Sequence, residues 1–330
     1  MKKITNHNRV ALGTFPLAGV FNPITKETAF QVVETFFSEG GFYIDTAPMY
    51  GYGGVERLLG EVLQSKKRDD FFIISKCGKH IDEAKQACMP KATYTDVIEQ
   101  CEQSLKRLKL DYIDLYLIHE PDRVTPYEET MRALIELQKQ GKVKDIGISN
   151  VTLAELKEFR KYADVKIIQN KFSFINRSIE PDFDRYLSNN DIQFIPYHVL
   201  EIAQLTGTVL EEKNLGKNDF RNTLAYFQDE KLNTIRTWVK EYIKPLAQKQ
   251  GCTIGQLMIA WTLKQNHIPY VLVGTTKSKY MKLNMCSNSI QLSDEMLPLL
   301  EQAYNALENH IVHTFNKSTR EFRGLNSCYF

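Results

Sequence analysis

Four ionisable side chains stand just beyond short apolar runs. Asp45 follows Phe42-Tyr43-Ile44, Lys76 follows Phe71 to Ile74, His119 follows Ile113 to Ile118, and Tyr50 lies five residues past Asp45. Together these types suit proton transfer to a carbonyl oxygen. A free phenol titrates near pH 10, too high for an efficient acid near neutrality. An ammonium beside it favours the phenolate and would lower that value. Burial would strip Lys76 of its charge, and a neighbouring Asp45 offsets that cost. His119 can hydrogen-bond the substrate oxygen and fix its orientation. The set holds no metal cage and no activated serine or cysteine, so a hydride must come from a bound cofactor.

Other runs end in groups able to hold one. Ser149, Asn150 and Gln169 supply hydroxyl and amide groups that match a carboxamide, and Tyr197 offers a flat face for a ring. Gly274-Thr275-Thr276 leads into a helix, where small residues suit phosphate. Lys277, Lys279 and Lys282 add positive charge there. Taken singly, each has a plainer explanation: a strand-end Asp or His is commonly a cap, and a basic stretch is commonly a solvated helix. The argument rests on the whole set recurring at successive strand ends.

The elements that must hold these groups alternate. Apolar runs at Phe42-Tyr43-Ile44, Phe71 to Ile74, Ile113 to Ile118, Val143 to Ile148, Val165 to Ile168, Ile192 to Ile195 and Tyr270 to Val273 read as strands buried on both faces of a parallel sheet. Val10 to Gly13 supplies an eighth. Between them lie helices: Glu27 to Glu39, stopped by Gly40-Gly41; one opened by Thr95-Asp96 and carrying Val97, Cys101, Leu105 and Leu108; one opened by a capping box at Thr125-Pro126-Tyr127-Glu128 and stopped by Gly141; and one opened by a box of Thr152 and Glu155. A doubly wound sheet or a closed barrel fits this order. No GxGxxG follows a strand, and the reactive residues sit at C-terminal strand ends, which a barrel gathers onto one rim. The expected fold is therefore α/β, a single-domain (β/α)8 TIM barrel over residues 1–330 with long loops at the C-terminal rim. Thr206 to Asn233, longer than an ordinary connection, is expected to act as a lid or binding loop.

Bulk properties narrow the class. The 330 residues are 43% apolar and 25% charged, with a formal charge of +2. That balance argues against nucleic acid as a partner. Lys66-Lys67-Arg68, followed by Asp69-Asp70, reads as a solvated loop. MKKITNHNRV carries no apolar stretch of a signal peptide, and no run approaches a membrane span, so a cytoplasmic location and no membrane partner are expected. Cysteines 77, 88, 101, 252, 286 and 328 form no CxxC pair and read as reduced thiols. Cys77, His80 and Cys88 lack a fourth ligand, so no metal is expected. His310 and His313 read as surface residues. The oligomeric state stays open.

The quoted segments closely resemble the aldo-keto reductase family. Gly41 to Gly51 (GFYIDTAPMYG) is similar to its first signature, continued by a helix GGVERLLGEVL with a near-constant glutamate. IISKCG, DYIDLYLIHEPD, GKVKDIGISN, IIQNKFSFINR, FIPYHVLEIAQLTG and VGTTKSKYMKLNM follow in the family's order, from about Val10 to about Leu300. The resemblance implies a catalytic tetrad of Asp45, Tyr50, Lys76 and His119. It implies NADP(H), with NAD as the alternative, held by Gly13, Thr14, Ser149, Asn150, Gln169 and Tyr197, by Leu200, Gln204, Thr206 and Gly207 at the pyrophosphate, and by Gly274, Thr275, Thr276, Lys277 and Asn284 at the adenosine end. The family binds this cofactor without a Rossmann fold.

Three positions depart from the family pattern. Tyr280 stands where many members place an arginine on the 2′-phosphate, Leu283 where a glutamate often meets adenine, and Glu120 where tryptophan is frequent. HEPD, FPLAG and DTAPMYG also resemble the branch that oxidises aldoses, so the expected partner is a small carbonyl or sugar substrate. Phe15, Phe21, Met49, Tyr52, Cys77 and Glu120 are the expected pocket wall. Two other functions compete: a cofactor-binding redox-sensing regulatory subunit with little turnover, and a barrel hydrolase or aldolase using Lys76 as a Schiff-base amine.

Overall fold

A computed structural model of the chain describes residues 7–210, 215–217, 219–224, 227 and 229–315. Eight parallel strands form one sheet: β1 (Val10–Gly13), β2 (Tyr43–Asp45), β3 (Phe72–Cys77), β6 (Ile113–Ile118), β7 (Val143–Ser149), β8 (Ile167–Lys171), β9 (Gln193–Tyr197) and β10 (Val271–Val273). These are the eight expected strands, with ends shifted by up to three residues. The spatial order is β10-β1-β2-β3-β6-β7-β8-β9, so β1 pairs with both its neighbour β2 and the last strand. The Phe194 amide donating to the His267 carbonyl at 2.8 Å draws the two ends of the sheet together. Arg9 reinforces the β1–β10 seam by donating to the carbonyls of Leu263, Ile268 and Pro269. This is a (β/α)8 barrel.

Helices cover the outside: α1 (Lys26–Ser38), α2 (Gly54–Leu63), α3 (Tyr94–Leu108), α4 (Tyr127–Lys139), α5 (Leu153–Phe159), α6 (Pro181–Asn190), α7 (Asp229–Trp238), α8 (Lys244–Gln250), α9 (Ile254–Leu263), α10 (Ser278–Met285) and α11 (Met296–Phe315). The Thr152–Glu155 capping box is present at α5. The box expected at Thr125 is not: the Thr125 hydroxyl donates to Asp122, and Pro126 precedes α4 without a side-chain cap. The helix expected from Thr95-Asp96 starts a little earlier, because Thr93 accepts from the Asp96 amide. Arg68 also departs from the solvated-loop reading. It bonds Asp114, whose carboxylate also accepts from the Ile73 amide, and it packs over Tyr112.

Side chains alternate along a strand, so every second residue of a barrel strand faces inward. Ala11, Tyr43, Ile74, Leu115, Leu117, Ile167, Ile195, Tyr270 and Leu272 form a separate buried cluster inside the ring, with Tyr43 stacked on Tyr270 at 4.2 Å. Their outward neighbours, such as Leu12, Ile44, Ile73 and Ile118, join the larger core beneath the helices. Two residues past Tyr43 is Asp45, past Ile74 is Lys76, past Leu117 is His119, past Ile167 is Gln169, and past Ile195 is Tyr197. The apolar plug thus forces the polar side chains into one layer directly above it.

An antiparallel hairpin, β4 (Lys79–Asp82) with β5 (Ala87–Pro90), rises after β3. A Lys79–Glu120 ion pair at 2.6 Å ties it to the end of β6. No helix among the described residues is long and apolar enough to cross a membrane. The five described cysteines are free, and Cys328 lies outside the described residues. His310 and His313 are exposed.

Candidate active site

Lys76 is the hub of the polar layer. Its ammonium has three hydrogens, and three acceptors meet it: Asp45 Oδ1 at 2.7 Å, the Thr46 carbonyl at 2.9 Å and the Tyr50 oxygen at 3.3 Å. Asp45 is held in turn, its second oxygen accepting from Gln169 Nε2 at 2.8 Å. Because the Tyr50 oxygen accepts from Lys76, its own hydrogen is left to point away, toward the cavity. The Tyr50 and His119 rings stand edge to face with centroids 6.1 Å apart. Asp45, Tyr50, Lys76 and His119 therefore converge.

Burial sets their protonation. The Tyr50 phenol is pushed well above its usual range, first by burial and then by the Asp45 charge. The lowering expected from Lys76 alone is thus outweighed, and Tyr50 is held as the neutral O–H. Burial also pulls Lys76 below the usual lysine value, opposed by the Asp45 charge and hydrogen bond and by the Glu56 charge. His119, 6% exposed, is held well below 6.5 by burial and by the Lys76 and Lys79 cations, so it is neutral.

A pH dependence of stability follows from His119. An unfolded histidine takes up a proton near pH 6.5, whereas His119 in the fold does not. Stability is therefore complete above that pH and falls as pH drops through it. Between pH 6.5 and 5 the loss is about 2 kcal/mol, from about 1.4 kcal/mol per unit for one group. Urea unfolding of wild type and His119→Asn at both pH values measures it; equal slopes would remove the effect.

The remaining expected residues bond to one another. Ser149 Oγ donates to the Gln169 carbonyl, Asn150 Nδ2 to the His119 carbonyl, and the Tyr197 hydroxyl to Asn150 Oδ1 at 2.6 Å. Asn150 takes φ +58, a left-handed conformation that turns the chain after β7.

One cavity of about 800 Å³ opens above this layer. Its wall includes Gly13, Thr14, Asp45, Tyr50, His119, Ser149, Asn150, Gln169, Tyr197, Leu200, Thr206, Gly207, Gly274, Thr275, Thr276, Lys277 and Asn284. Lys76 lies behind Asp45 and Tyr50 instead, and Gln204 is buried off the wall. Lys279 and Lys282 also lie off it, Lys282 reaching Glu39 at 3.4 Å. Of the expected pocket residues, Phe15 and Phe21 are on the wall, whereas Met49, Tyr52, Cys77 and Glu120 are not. Cys77 faces the helices because it is one residue out of phase with Lys76, and Glu120 turns to Lys79.

The long connection after β9 forms much of the opposite wall. Thr208, Leu215, Gly216, Asp219, Arg221, Phe227, Leu232 and Arg236 contribute, and the Phe220 amide donates to the Val20 carbonyl, drawing this segment across the loop after β1. Residues 211–214, 218, 225, 226 and 228 of the expected lid lie outside the described residues. Asp219 grips Arg221 through both its oxygens, at 2.9 and 2.6 Å. At the start of the connection His198, Glu201, Ile202 and Ala203 all have positive φ, from +47 to +75. Such strain costs about 1–3 kcal/mol per residue and gathers where backbone must present itself to a ligand.

A cavity of this size, lined by amide, hydroxyl and ring faces and by the Lys277 and Arg236 cations, fits a nicotinamide dinucleotide. Of the glycines on its wall, Gly274 has the closest neighbours. A Cβ there would lie 2.5 Å from the Gly13 carbonyl and 2.7 Å from Pro16. Gly274→Ala is expected to lose about 1–3 kcal/mol of stability and to weaken dinucleotide binding, measured by urea unfolding and fluorescence titration. Among the described residues no group of three His, Cys, Asp or Glu is arranged to hold a metal ion.

Comparison with known proteins agrees with this architecture. Residues 9–305 match the model of the aldo/keto reductase family. The chain is 30% identical over 316 residues to an NADH-specific methylglyoxal reductase of Escherichia coli, covering 91% of this chain and 96% of that one. It is 30% identical over 272 residues to the aldo-keto reductase YhdN of Bacillus subtilis, covering 82% of each. The structure superposes on the glycerol dehydrogenase AKR11B4 of Gluconobacter oxydans with a TM-score of 0.81 at 26% identity, covering 96% of this chain and 95% of that one.

Proposed function

Since this chain belongs to the aldo-keto reductase family, we propose that it interconverts a carbonyl and an alcohol of a small aldehyde, ketone or sugar with a bound nicotinamide dinucleotide, acting as one domain over residues 1–330. The observation that carries this reading is the Lys76 ammonium bridging Asp45 and the Tyr50 oxygen beside His119 on the cavity floor. The cofactor, when bound, supplies or accepts the hydride. Tyr50 gives its proton to the carbonyl oxygen and, in the oxidising direction, takes it back. Lys76 stabilises the phenolate left behind, and Asp45 keeps Lys76 charged. Neutral His119 orients the carbonyl oxygen by hydrogen bonding. Ser149, Asn150 and Gln169 would hold the carboxamide, Tyr197 would back the ring, Gly13 and Thr14 would close one side, and Leu200, Thr206 and Gly207 would receive the pyrophosphate, with Gln204 buried behind them.

The Lys277 and Arg236 cations on the cavity wall favour NADP(H). Tyr280 and Leu283, both on that wall, favour NAD(H) as the second reading, and the NADH-specific relative supports it. The aromatic and polar wall of Phe15, Phe21, Asn22 and Tyr50, with the glycerol dehydrogenase likeness, supports a hydroxylated substrate. The test is a matrix of NADPH and NADH against aldehydes, ketones and free aldoses in both directions. Turnover is expected with NADPH and with hydroxylated carbonyls. No turnover with any pair would sink the reading.

A further inference from the structure

A second buried carboxylate lies across β3 from the Lys76 side chain. Glu56, in the first turn of α2, is 0% exposed. It accepts from Ser75 Oγ at 2.7 Å and from Arg107 Nε of α3 at 2.7 Å. Ser75 is the residue before Lys76, so this hydrogen bond braces β3 next to the point where the Lys76 side chain leaves it on the opposite face. Gly60 makes the arrangement possible. A Cβ there would lie 2.3 Å from the Arg107 carbonyl, so only glycine lets α2 and α3 come this close.

A buried ion pair is a weak source of stability, because desolvation consumes most of the attraction. Its placement therefore invites another role. We propose that Glu56 is a positioning residue for proton transfer, one whose negative charge, fixed by Arg107 and Ser75, helps keep Lys76 protonated behind Tyr50. This rests on the proposed role of Lys76 and Tyr50.

The titratable groups facing Lys76 are Asp45 from β2, Tyr50 from the loop after it, His119 from β6 and Glu56 from α2. Those facing Glu56 are Arg107 and Cys101 from α3 and Tyr116 from β6, with Glu83 of the hairpin turn 3.6 Å from Arg107. Asp45 and Glu56 both raise Lys76 against the lowering effect of burial. Asp45 does so through contact, Glu56 through its field.

The test is Glu56→Gln, which keeps the shape and an acceptor for Ser75 but removes the charge. Two readouts are used: the alkaline limb of kcat/KM for carbonyl reduction, and the titration of the Lys76 Nζ signal in protein labelled with 15N-lysine, assigned by its loss in Lys76→Met. Both are expected to move down by about one pH unit, with dinucleotide affinity unchanged. A lower melting temperature with both titrations unmoved would mean that Glu56 is structural and would overturn the proposal. Glu56→Gln/Arg107→Gln removes the pair together, predicts a smaller downward shift because the opposing Arg107 cation is lost as well, and serves if the single variant fails to fold. If the wild type reduces no carbonyl, the functional reading fails, while the Lys76 titration still decides the role of Glu56.

Discussion

Tyr50→Phe is expected to lower turnover by about 10²–10⁴-fold and to leave dinucleotide binding nearly intact. The ring would keep its place against Phe15 and His119, so the cavity shape survives. What disappears is the one hydroxyl that Lys76 contacts among the described residues. The proton for the carbonyl oxygen would then have to come from water or from His119, and burial holds His119 neutral. Steady-state rates with the best substrate from the matrix, alongside cofactor titration by fluorescence, separate the two effects. Equal rates in wild type and variant would remove Tyr50 from the chemistry.

Lys76→Met is expected to be damaging for a second reason. Asp45 and Lys76 are both nearly fully buried, and removing one partner leaves the other charge in a poor solvent. The expected loss of stability is about 3–5 kcal/mol, read by urea unfolding. Asp45→Asn/Lys76→Met should regain much of it, since no unpaired charge remains, yet turnover should stay abolished. A single variant as stable as wild type would contradict the picture of a tightly held pair. A double variant that recovers turnover would show that the ammonium is dispensable.

The legibility of this molecule follows its physics. Strands buried on both faces must be continuously apolar, and all eight barrel strands were readable for that reason. The alternation within them also dictated that Asp45, Lys76, His119, Gln169 and Tyr197 share one layer, because each lies two residues beyond an inward apolar side chain. The β4–β5 hairpin left no such trace. Its strands carry Lys79, His80 and Asp82, and its turn holds Gln86 at φ +48 in place of a glycine. The opposite wall was equally hidden. Asn22, Asp219 and Arg221 come from connections without period, Arg236 comes from α7, and only packing brings them to the cavity. Lone ion pairs misled as well: Glu120 sits next to His119 in sequence but spends its charge on Lys79.

The seam between β1 and β10 bears on biosynthesis. Val10 pairs with Val271, and Arg9 reaches carbonyls more than 250 positions away. A ribosome therefore releases the first strand long before its partner exists, and the ring stays open until β10 has been made. During that interval the edge at Val10–Gly13 offers unpaired backbone to any passing strand. Premature termination anywhere before residue 271 would leave that edge permanently bare, so truncated products should aggregate where the full-length chain does not.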